Sequence, residues 1–128
     1  GRRLGSDGTG GMIMANPVAW FEASGPDAAA LQRFYAEVFG WKIDSDNPMN
    51  YGMVEPQEGG IGGGVGPTPD GTSQVTWYVS VPDLQATLDK IEQVGGKTVS
   101  PPMDVPDGPT LAFFTDPAGN RIGLMKPM

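Results

Sequence analysis

The order of apolar and polar residues divides the chain into short elements of two kinds. An apolar and aromatic run at 18–24, ended by Gly25-Pro26, predicts a strand. Pro26 and Asp27 suit the first turn of a helix, and Gly40 suits its end. The apolar stripe of this helix, which we expect in the core together with Phe39, is Leu31, Phe34, Tyr35 and Val38. Three further short strands are predicted at 41–44, 50–55 and 61–65.

The same pattern then begins again. A strand is predicted at 74–81, followed by a helix that opens at Pro82-Asp83 and stops at Gly95-Gly96. Its apolar face is formed by Leu84, Leu88, Ile91 and Val94. Three more strands are predicted at 97–100, 110–115 and 121–126. An offset of 56 residues takes Ser24-x-Pro26-Asp27 to Ser80-x-Pro82-Asp83, Tyr35 to Ile91, Val38 to Val94 and Gly40 to Gly96.

This repeat predicts the fold class. One unit of strand, helix and three strands cannot bury both its helix and its sheet face alone. Two copies side by side give an α+β fold, with two βαβββ modules forming an open eight-stranded cup and the helices on its convex face. We expect a single domain over residues 12–128, with module one at 16–66 and module two at 74–127. Residues 1–11 hold five glycines and no periodicity, which is typical of an expression remnant or a disordered leader.

Alternation along the first strand of each module separates the two faces of the predicted sheet. The more apolar sets should pack beneath the helices: Phe21 and Ala23 in the first module, and Trp77, Val79 and Val81 in the second. The mixed sets should line the cup: Trp20, Glu22 and Ser24, and Thr76, Tyr78 and Ser80.

Composition restricts the chemistry. The 128 residues include no cysteine and no histidine, which excludes thiolate nucleophiles, zinc fingers and His-based triads or metal sites. A formal charge of −7 argues against nucleic acid and against anionic membranes as partners, and it is compatible with a cationic small molecule. No apolar run approaches the length of a membrane span, and no signal-peptide pattern is seen, so the expected location is cytoplasmic.

Several motifs resemble those of the vicinal oxygen chelate superfamily, which includes glyoxalase I, extradiol dioxygenases and the bleomycin- and fosfomycin-resistance proteins. The motifs are Trp20-Phe21-Glu22, the segment 33–41 (RFYxxVFGW), Val79-x-Val81-x-Asp83, Gly95-Gly96-Lys97 and the segment 115–124 (TDPxGNxIGL). The resemblance covers residues 16–127 and implies the double βαβββ fold. It also implies a homodimer, since such cups often pair in this superfamily.

The resemblance further implies where a metal would be held, on matching strands of the concave face. Three of the four ligand positions align with Trp20, Thr76 and Gly123, and the fourth falls in a strand rich in glycine (60, 62, 63 and 64). These residues are not metal ligands, apart from threonine, which is a poor one. We therefore expect no cofactor, with a relocated oxygen-only site using Glu22 and other carboxylates as the alternative.

The candidate ligand-binding residues share the expected concave face and combine apolar walls with a few polar groups. They are Trp20, Glu22, Tyr51, Met53, Thr76, Tyr78, Arg121 and Met125. Trp20 either provides a surface on which the ligand stacks or fills the space that an absent metal would leave. Glu22 and Tyr78 are the candidates for acid–base chemistry. Alternatively, Glu22 is a structural carboxylate paired with Arg121 or with backbone, and Tyr78 a core residue.

Two remaining segments are interpreted as structural. The glycine-rich run 58–66 lacks the Lys-Ser/Thr and the helix that a phosphate-binding loop requires. Segment 101–109 contains four prolines and is expected to form a stiff loop at the rim of the cup.

Three functions follow from these residues. The first is a metal-independent binding protein of the glyoxalase and bleomycin-resistance type, with an aromatic or cationic ligand and a role in antibiotic resistance. The second is a metal-independent isomerase, lyase or cyclase that uses Glu22 or Tyr78. The third is a metalloenzyme with non-standard ligands.

Overall fold

A computed structural model describes residues 15–127, and the predicted leader 1–11 lies outside this range. The chain forms one eight-stranded sheet with two helices. In chain order the elements are β1 (Val18–Gly25), α1 (Ala28–Phe39), β2 (Ile43–Asp44), β3 (Gly52–Val54), β4 (Gly62–Pro67), β5 (Gln74–Ser80), α2 (Leu84–Gln93), β6 (Lys97–Asp104), β7 (Thr110–Thr115) and β8 (Arg121–Met125). The predicted α+β fold with two βαβββ units is therefore confirmed. No helix in the described range is long and apolar enough to cross a membrane.

The strand order places the first strand of each unit at the centre of the sheet. The order is β2-β3-β4-β1-β5-β8-β7-β6, so β1 and β5 are neighbours and pair antiparallel. On its other side β1 pairs parallel with β4, and β5 likewise pairs parallel with β8. The two units are thus related by an approximate two-fold axis between β1 and β5, as the repeat predicts.

Both helices begin at an aspartate of the repeated motif. The Asp27 side chain accepts a hydrogen bond from the Ala30 amide at 3.0 Å, and Asp83 does the same for Ala86 at 2.9 Å. These N-caps satisfy amide groups that the first turn of a helix leaves unpaired. Gly40 ends α1 in the left-handed region at φ 70°, where glycine carries no steric cost.

Beneath α2, Leu84, Leu88 and Ile91 pack in or against the core as predicted, but Val94, which follows the last residue of the helix, is 69% exposed. The core beneath α1 differs more from the prediction. Under α2, Leu84 and Leu88 pack against Val81, Ala112 and Leu124, all at most 5% exposed. In α1 the buried residues are Ala28 and Gln32.

The prediction that the whole apolar stripe of α1 is buried is wrong for Phe34, Val38 and Phe39, each more than half exposed. The reason lies in how α1 is rotated. Gln32 turns to the sheet and donates to the carbonyls of Val65 and Asn50, at 2.8 and 3.0 Å. This rotation turns Phe34 and Val38 away from the sheet.

Two further expectations need correction. Trp77, predicted to lie beneath the helices, is 50% exposed, because each helix covers its own half of the sheet and leaves the central strand β5 partly open. The predicted loop 101–109 is shorter than expected, since Pro101 to Asp104 continue β6. Strand β6 lies at the edge of the sheet, and its register shifts between Ser100 and Met103, so prolines are tolerated there.

Candidate functional site

The centre of the face opposite the helices is built around the β1–β5 pair. Across these strands Glu22 pairs with Thr76, and Trp20 pairs with Tyr78. Side chains two residues apart share a face, so all four lie on the concave side. Glu22 and Tyr78 are also equivalent positions of the repeat, 56 residues apart, and the two-fold axis brings them together.

The glycines of the neighbouring strands make room for two tyrosine rings. In the parallel pairs, Glu22 lies opposite Gly64 and Tyr78 lies opposite Gly123, so the two glycines are equivalent. A Cβ at Gly64 would collide with the Tyr51 hydroxyl, and a Cβ at Gly123 would collide with the Tyr78 ring. Each glycine therefore permits a ring to lie flat against the sheet.

A hydrogen-bonded network joins these aromatic residues through one carboxylate. Tyr51 donates its hydroxyl to Oε2 of Glu22 at 2.8 Å, and Tyr78 donates to Oε1 at 3.1 Å. The Trp20 indole N–H donates to the Tyr51 hydroxyl at 3.1 Å. We call Trp20, Glu22, Tyr51 and Tyr78 the tyrosine–carboxylate cluster. It connects the two modules across the middle of the sheet.

The electrostatics of the cluster keep both phenols protonated. Burial raises the pKa of Tyr51 and of Tyr78 well above the ordinary tyrosine value, because the phenolate would lose its hydration. The negative charge of Glu22 acts in the same direction. Both tyrosines are therefore donors to the carboxylate, and neither is set up to release its proton.

Tyr51 owes its position to the loop before β3. The side chain of Asn47 holds the Tyr51 backbone on both sides, donating to its carbonyl at 2.7 Å and accepting from its amide at 3.0 Å. Between them Asn50 has a positive φ of 53°, a conformation that asparagine tolerates better than most residues. The sequence pattern predicts a strand at Tyr51 and gives no indication of the two hydrogen bonds from Asn47.

Beside the cluster, toward the first module, lies a cavity of about 360 Å³. This volume is at the lower end of the range of small-molecule sites. Trp20 and Met53 line it, and Met53 is 47% exposed. The other lining residues, which sequence reasoning missed, are Lys42, Ile43, Asp44, Val54, Glu55 and Pro56.

The second module supplies a different wall on the same face. Arg121 is exposed, and its guanidinium carbon lies 4.0 Å from the centre of the Phe113 ring. Phe113 also meets the Tyr78 ring edge to face, with centroids 5.6 Å apart. Sequence reasoning missed Phe113, although its alternation with Ala112 in β7 was available as a signal. Met125 is partly buried beside them, where it pairs with Leu111.

The structure thus separates the predicted binding residues by exposure. Thr76 and Tyr78 are 3% and 5% exposed, so they form the floor of the cup and not its accessible lining. Within the described residues, Glu22 is paired with tyrosines and not with Arg121, whose guanidinium stacks on Phe113.

The four positions implied for a metal do not fit one. They carry Trp20, Thr76 and two glycines, Gly64 being identified as the fourth by its equivalence to Gly123. Indole and glycine offer no side-chain ligand, and a single hydroxyl is a weak one. Among residues 15–127 there is also no group of three or more acidic side chains placed to hold a metal ion.

Comparison with known proteins supports the architecture. The sequence model of the Glyoxalase/Bleomycin resistance protein/Dioxygenase superfamily matches residues 18–124. In its fold, the chain resembles methylmalonyl-CoA epimerase from Mycobacterium tuberculosis, with a TM-score of 0.67 and 13% identity, over 92% of this chain and 94% of that one. At this identity the likeness concerns the fold alone.

Two curated relatives are longer than this chain. Protein CFP32 of Mycobacterium tuberculosis, which carries a provisional glyoxylase name, is 32% identical over 116 residues, covering 84% of this chain and 44% of the relative. The anthracycline biosynthesis protein DnrV of Streptomyces peucetius is 30% identical over 126 residues, covering 84% of this chain and 46% of the relative. The chain therefore spans less than half the length of either relative.

Proposed function

The chain belongs to the Glyoxalase/Bleomycin resistance protein/Dioxygenase superfamily, and on this premise we propose that it is a metal-independent protein that binds a small molecule. The ligand is aromatic or cationic and lies in the cup, and the protein acts as a homodimer in the cytoplasm. A role in antibiotic resistance is one form that such binding takes. Nucleic acid and membranes are not among the proposed partners.

One observation carries the proposal. The places of the four expected metal ligands are taken by an indole, a buried threonine and two glycines, and tyrosine rings cover both glycines. The cup therefore presents aromatic surface where a metalloenzyme of this fold would need a ligand set. Each carboxylate oxygen of Glu22 already accepts a hydrogen bond from a tyrosine.

The accessible cavity suits a flat ligand with positive charge. Trp20 and Met53 supply apolar walls, and a tryptophan ring is a good stacking surface for aromatic and cationic groups. Asp44 and Glu55 both line the cavity, against the single positive charge of Lys42. The name of the Streptomyces relative associates that protein with anthracyclines, so we include an anthracycline among the probes.

Fluorescence titration tests the proposal. The chain has three tryptophans, of which Trp20 lines the cavity and Trp77 lies on the opposite face. We would titrate an anthracycline, an N-methylquinolinium salt and 2-naphthoate, with calorimetry as a second readout. We expect saturable binding of a cationic aromatic that Trp20→Phe weakens at least tenfold and that the control Trp77→Phe leaves unchanged. No saturable binding of any probe, or equal loss in both variants, would contradict the proposal.

The catalytic alternative rests on the contact between Glu22 and Tyr78, in which the phenol hydroxyl donates a hydrogen bond of 3.1 Å to the carboxylate. A metal-independent isomerase, lyase or cyclase would use this pair. Glu22→Gln separates the alternatives: retained binding with abolished turnover of a bound probe favours catalysis. Retained binding with no turnover in the wild-type protein favours binding alone.

A further inference from the structure

The approximate two-fold axis gives the cavity of module one a counterpart in module two. Gly64 and Gly123 are equivalent, and each lies opposite a residue of the next strand outward. Met53 lies opposite Gly64, and Phe113 lies opposite Gly123. Phe113 therefore occupies the place that Met53 has in the cavity, on the same concave face of the sheet.

The counterpart lacks both carboxylates of the cavity. On the outermost strands, Asp44 of module one and Ser100 of module two pair with the two equivalent residues just described. Two residues further along the chain from those residues, module one has Glu55 and module two has Thr115. Each exchange replaces a negatively charged side chain by a hydroxyl group.

A glycine of the first module is replaced by a cation in the second. Gly62 and Arg121 each stand two residues before the equivalent glycines of β4 and β8. A Cβ at Gly62 would lie 3.1 Å from the Trp20 ring, so the glycine leaves room for the indole. In module two the smaller Thr76 takes the place of Trp20, and the guanidinium carbon of Arg121 lies 4.0 Å from the centre of the Phe113 ring.

The two halves of the cup therefore differ in charge at equivalent positions. A lysine is kept in both, since the Lys42 carbonyl accepts a hydrogen bond from the Glu55 amide and Lys97 pairs with the residue equivalent to Glu55. The difference comes from Asp44 and Glu55 in module one and from Arg121 in module two. An anionic group is thus favoured in module two, whereas module one favours a cation.

The surroundings of Arg121 suit a carboxylate. Stacking on Phe113 uses the face of the guanidinium and leaves the N–H groups along its edge for other partners, with which they form paired hydrogen bonds to carboxylates. Arg121 is exposed, and Ser100 and Thr115, which pair with Phe113 and Arg121, are partly buried and carry hydroxyl donors. Burial raises the pKa of Tyr78, and the positive charge of Arg121 opposes this effect, so the guanidinium lies near the tyrosine–carboxylate cluster.

We propose that Ser100, Phe113, Thr115 and Arg121, which we call the arginine site, bind a carboxylate group of the ligand. This inference rests on the proposed function, because the aromatic and cationic part of the ligand lies against Trp20. It narrows the ligand to a flat amphoteric molecule. Trp20 is on β1 and Arg121 on β8, two strands apart, which is roughly 10 Å at the usual strand spacing. A two-ring aromatic with a charged group at each end has about this length.

Calorimetric titration with three related probes tests the arginine site. The probes are 6-(aminomethyl)-2-naphthoate, which is amphoteric, its methyl ester, which is cationic, and its N-acetyl derivative, which is anionic. We expect the wild-type protein to bind the amphoteric probe about tenfold or more tightly than the methyl ester, because of the charge-assisted hydrogen bonds to the carboxylate. Arg121→Gln should remove this preference, and Arg121→Glu should reverse it. The control Arg33→Gln, an equal change of charge at an exposed residue of α1, should keep the preference. Circular dichroism verifies that each variant folds.

The possible outcomes separate the arginine site from the proposed function. If the methyl ester binds and the amphoteric probe is not preferred, the arginine site is overturned and the binding of a cationic aromatic stands. The same holds if Arg33→Gln changes the preference as much as Arg121→Gln, or if both folded Arg121 variants keep it. If the amphoteric and N-acetyl probes bind through Arg121 and the methyl ester does not bind, the arginine site is supported and the cationic ligand of the proposed function is wrong. No binding of any probe overturns both.

Discussion

The tyrosine–carboxylate cluster allows a double-mutant test of how the two modules are joined. Tyr51→Phe and Tyr78→Phe each remove one hydrogen bond to Glu22, the bonds being 2.8 and 3.1 Å long. A hydrogen bond to a charged group contributes about 1.5–3 kcal/mol, so each single variant should lower the free energy of unfolding by about that amount. Tyr51→Phe should lie at the upper end, because the Trp20 indole also loses its acceptor.

The double variant is the decisive measurement. With both phenols gone, the partly buried carboxylate of Glu22 loses both of its tyrosine donors at once. The second substitution should therefore cost more than the first, with a coupling of about 0.5 kcal/mol or more between the two sites. In a Glu22→Gln background the coupling should fall toward zero, because the charge that both phenols satisfy is absent.

Urea unfolding at pH 7, followed by tryptophan fluorescence and circular dichroism, measures these differences. Tyr35→Phe is the matched control, since Tyr35 lies in α1 and its ring stacks on Trp41, 5.4 Å between centroids. We expect this control to change the free energy of unfolding by less than about 0.5 kcal/mol. If the Tyr51 and Tyr78 effects add within about 0.5 kcal/mol, the two hydrogen bonds act independently and the reasoning fails.

Three other predictions follow from the same structure. Gly64→Ala should displace the Tyr51 hydroxyl and lower the free energy of unfolding in urea by about 1–3 kcal/mol. Gly60→Ala is the control, and it should lower this free energy less, because an added Cβ there meets no atom closer than 3.4 Å. Equal losses in the two variants would contradict the close packing at Gly64. The pKa values of Tyr51 and Tyr78 are raised in the folded protein. Their contribution to the free energy of unfolding is therefore fully present below the ordinary tyrosine pKa, and it decreases as the pH rises above that value, because the unfolded chain then loses these protons first. When both tyrosines are replaced by phenylalanine, the melting temperature should fall less steeply with pH in the alkaline range. An unchanged slope of melting temperature against pH would refute the prediction. Hydrogen bonds from its own turn lower the pKa of Asp116. Asp116 therefore stabilises the fold above the ordinary aspartate pKa, and this stabilisation is lost as the pH falls. Asp116→Ala should make the melting temperature depend less on pH in the acid range, and an identical dependence would contradict this prediction.

Much of the fold could be predicted from the sequence, because it depends on local signals that recur. Asp27 and Asp83 mark the two helix starts, and Gly40 marks the end of α1, since capping chemistry is decided within one turn. The offset of 56 residues then predicts two equivalent modules. Alternation in β1 also predicts which side chains share the face of Glu22, because the period of a strand is two.

The contacts between modules could not be predicted in the same way. That Tyr51 and Tyr78 converge on Glu22 depends on the register of β1 with β4 and β5, and on a loop held by Asn47. Likewise the stripe of α1 is helical as predicted, but its rotation is decided by Gln32 reaching the Val65 carbonyl. A helical pattern indicates that a face is apolar, and does not say whether the sheet or a partner covers it.

The sequence by itself determined the elements, their repetition and the lack of histidine at the positions implied for a metal, because each of these depends on residue type and local spacing. Only the tertiary structure decided what occupies that space, since the answer lies in side chains from two strands, β1 and β5, and from the loop before β3. It placed two phenols over two glycines and joined them to one carboxylate. It also left Phe34 exposed, because burial depends on which surfaces meet, and strand pairing brings together residues far apart in the chain.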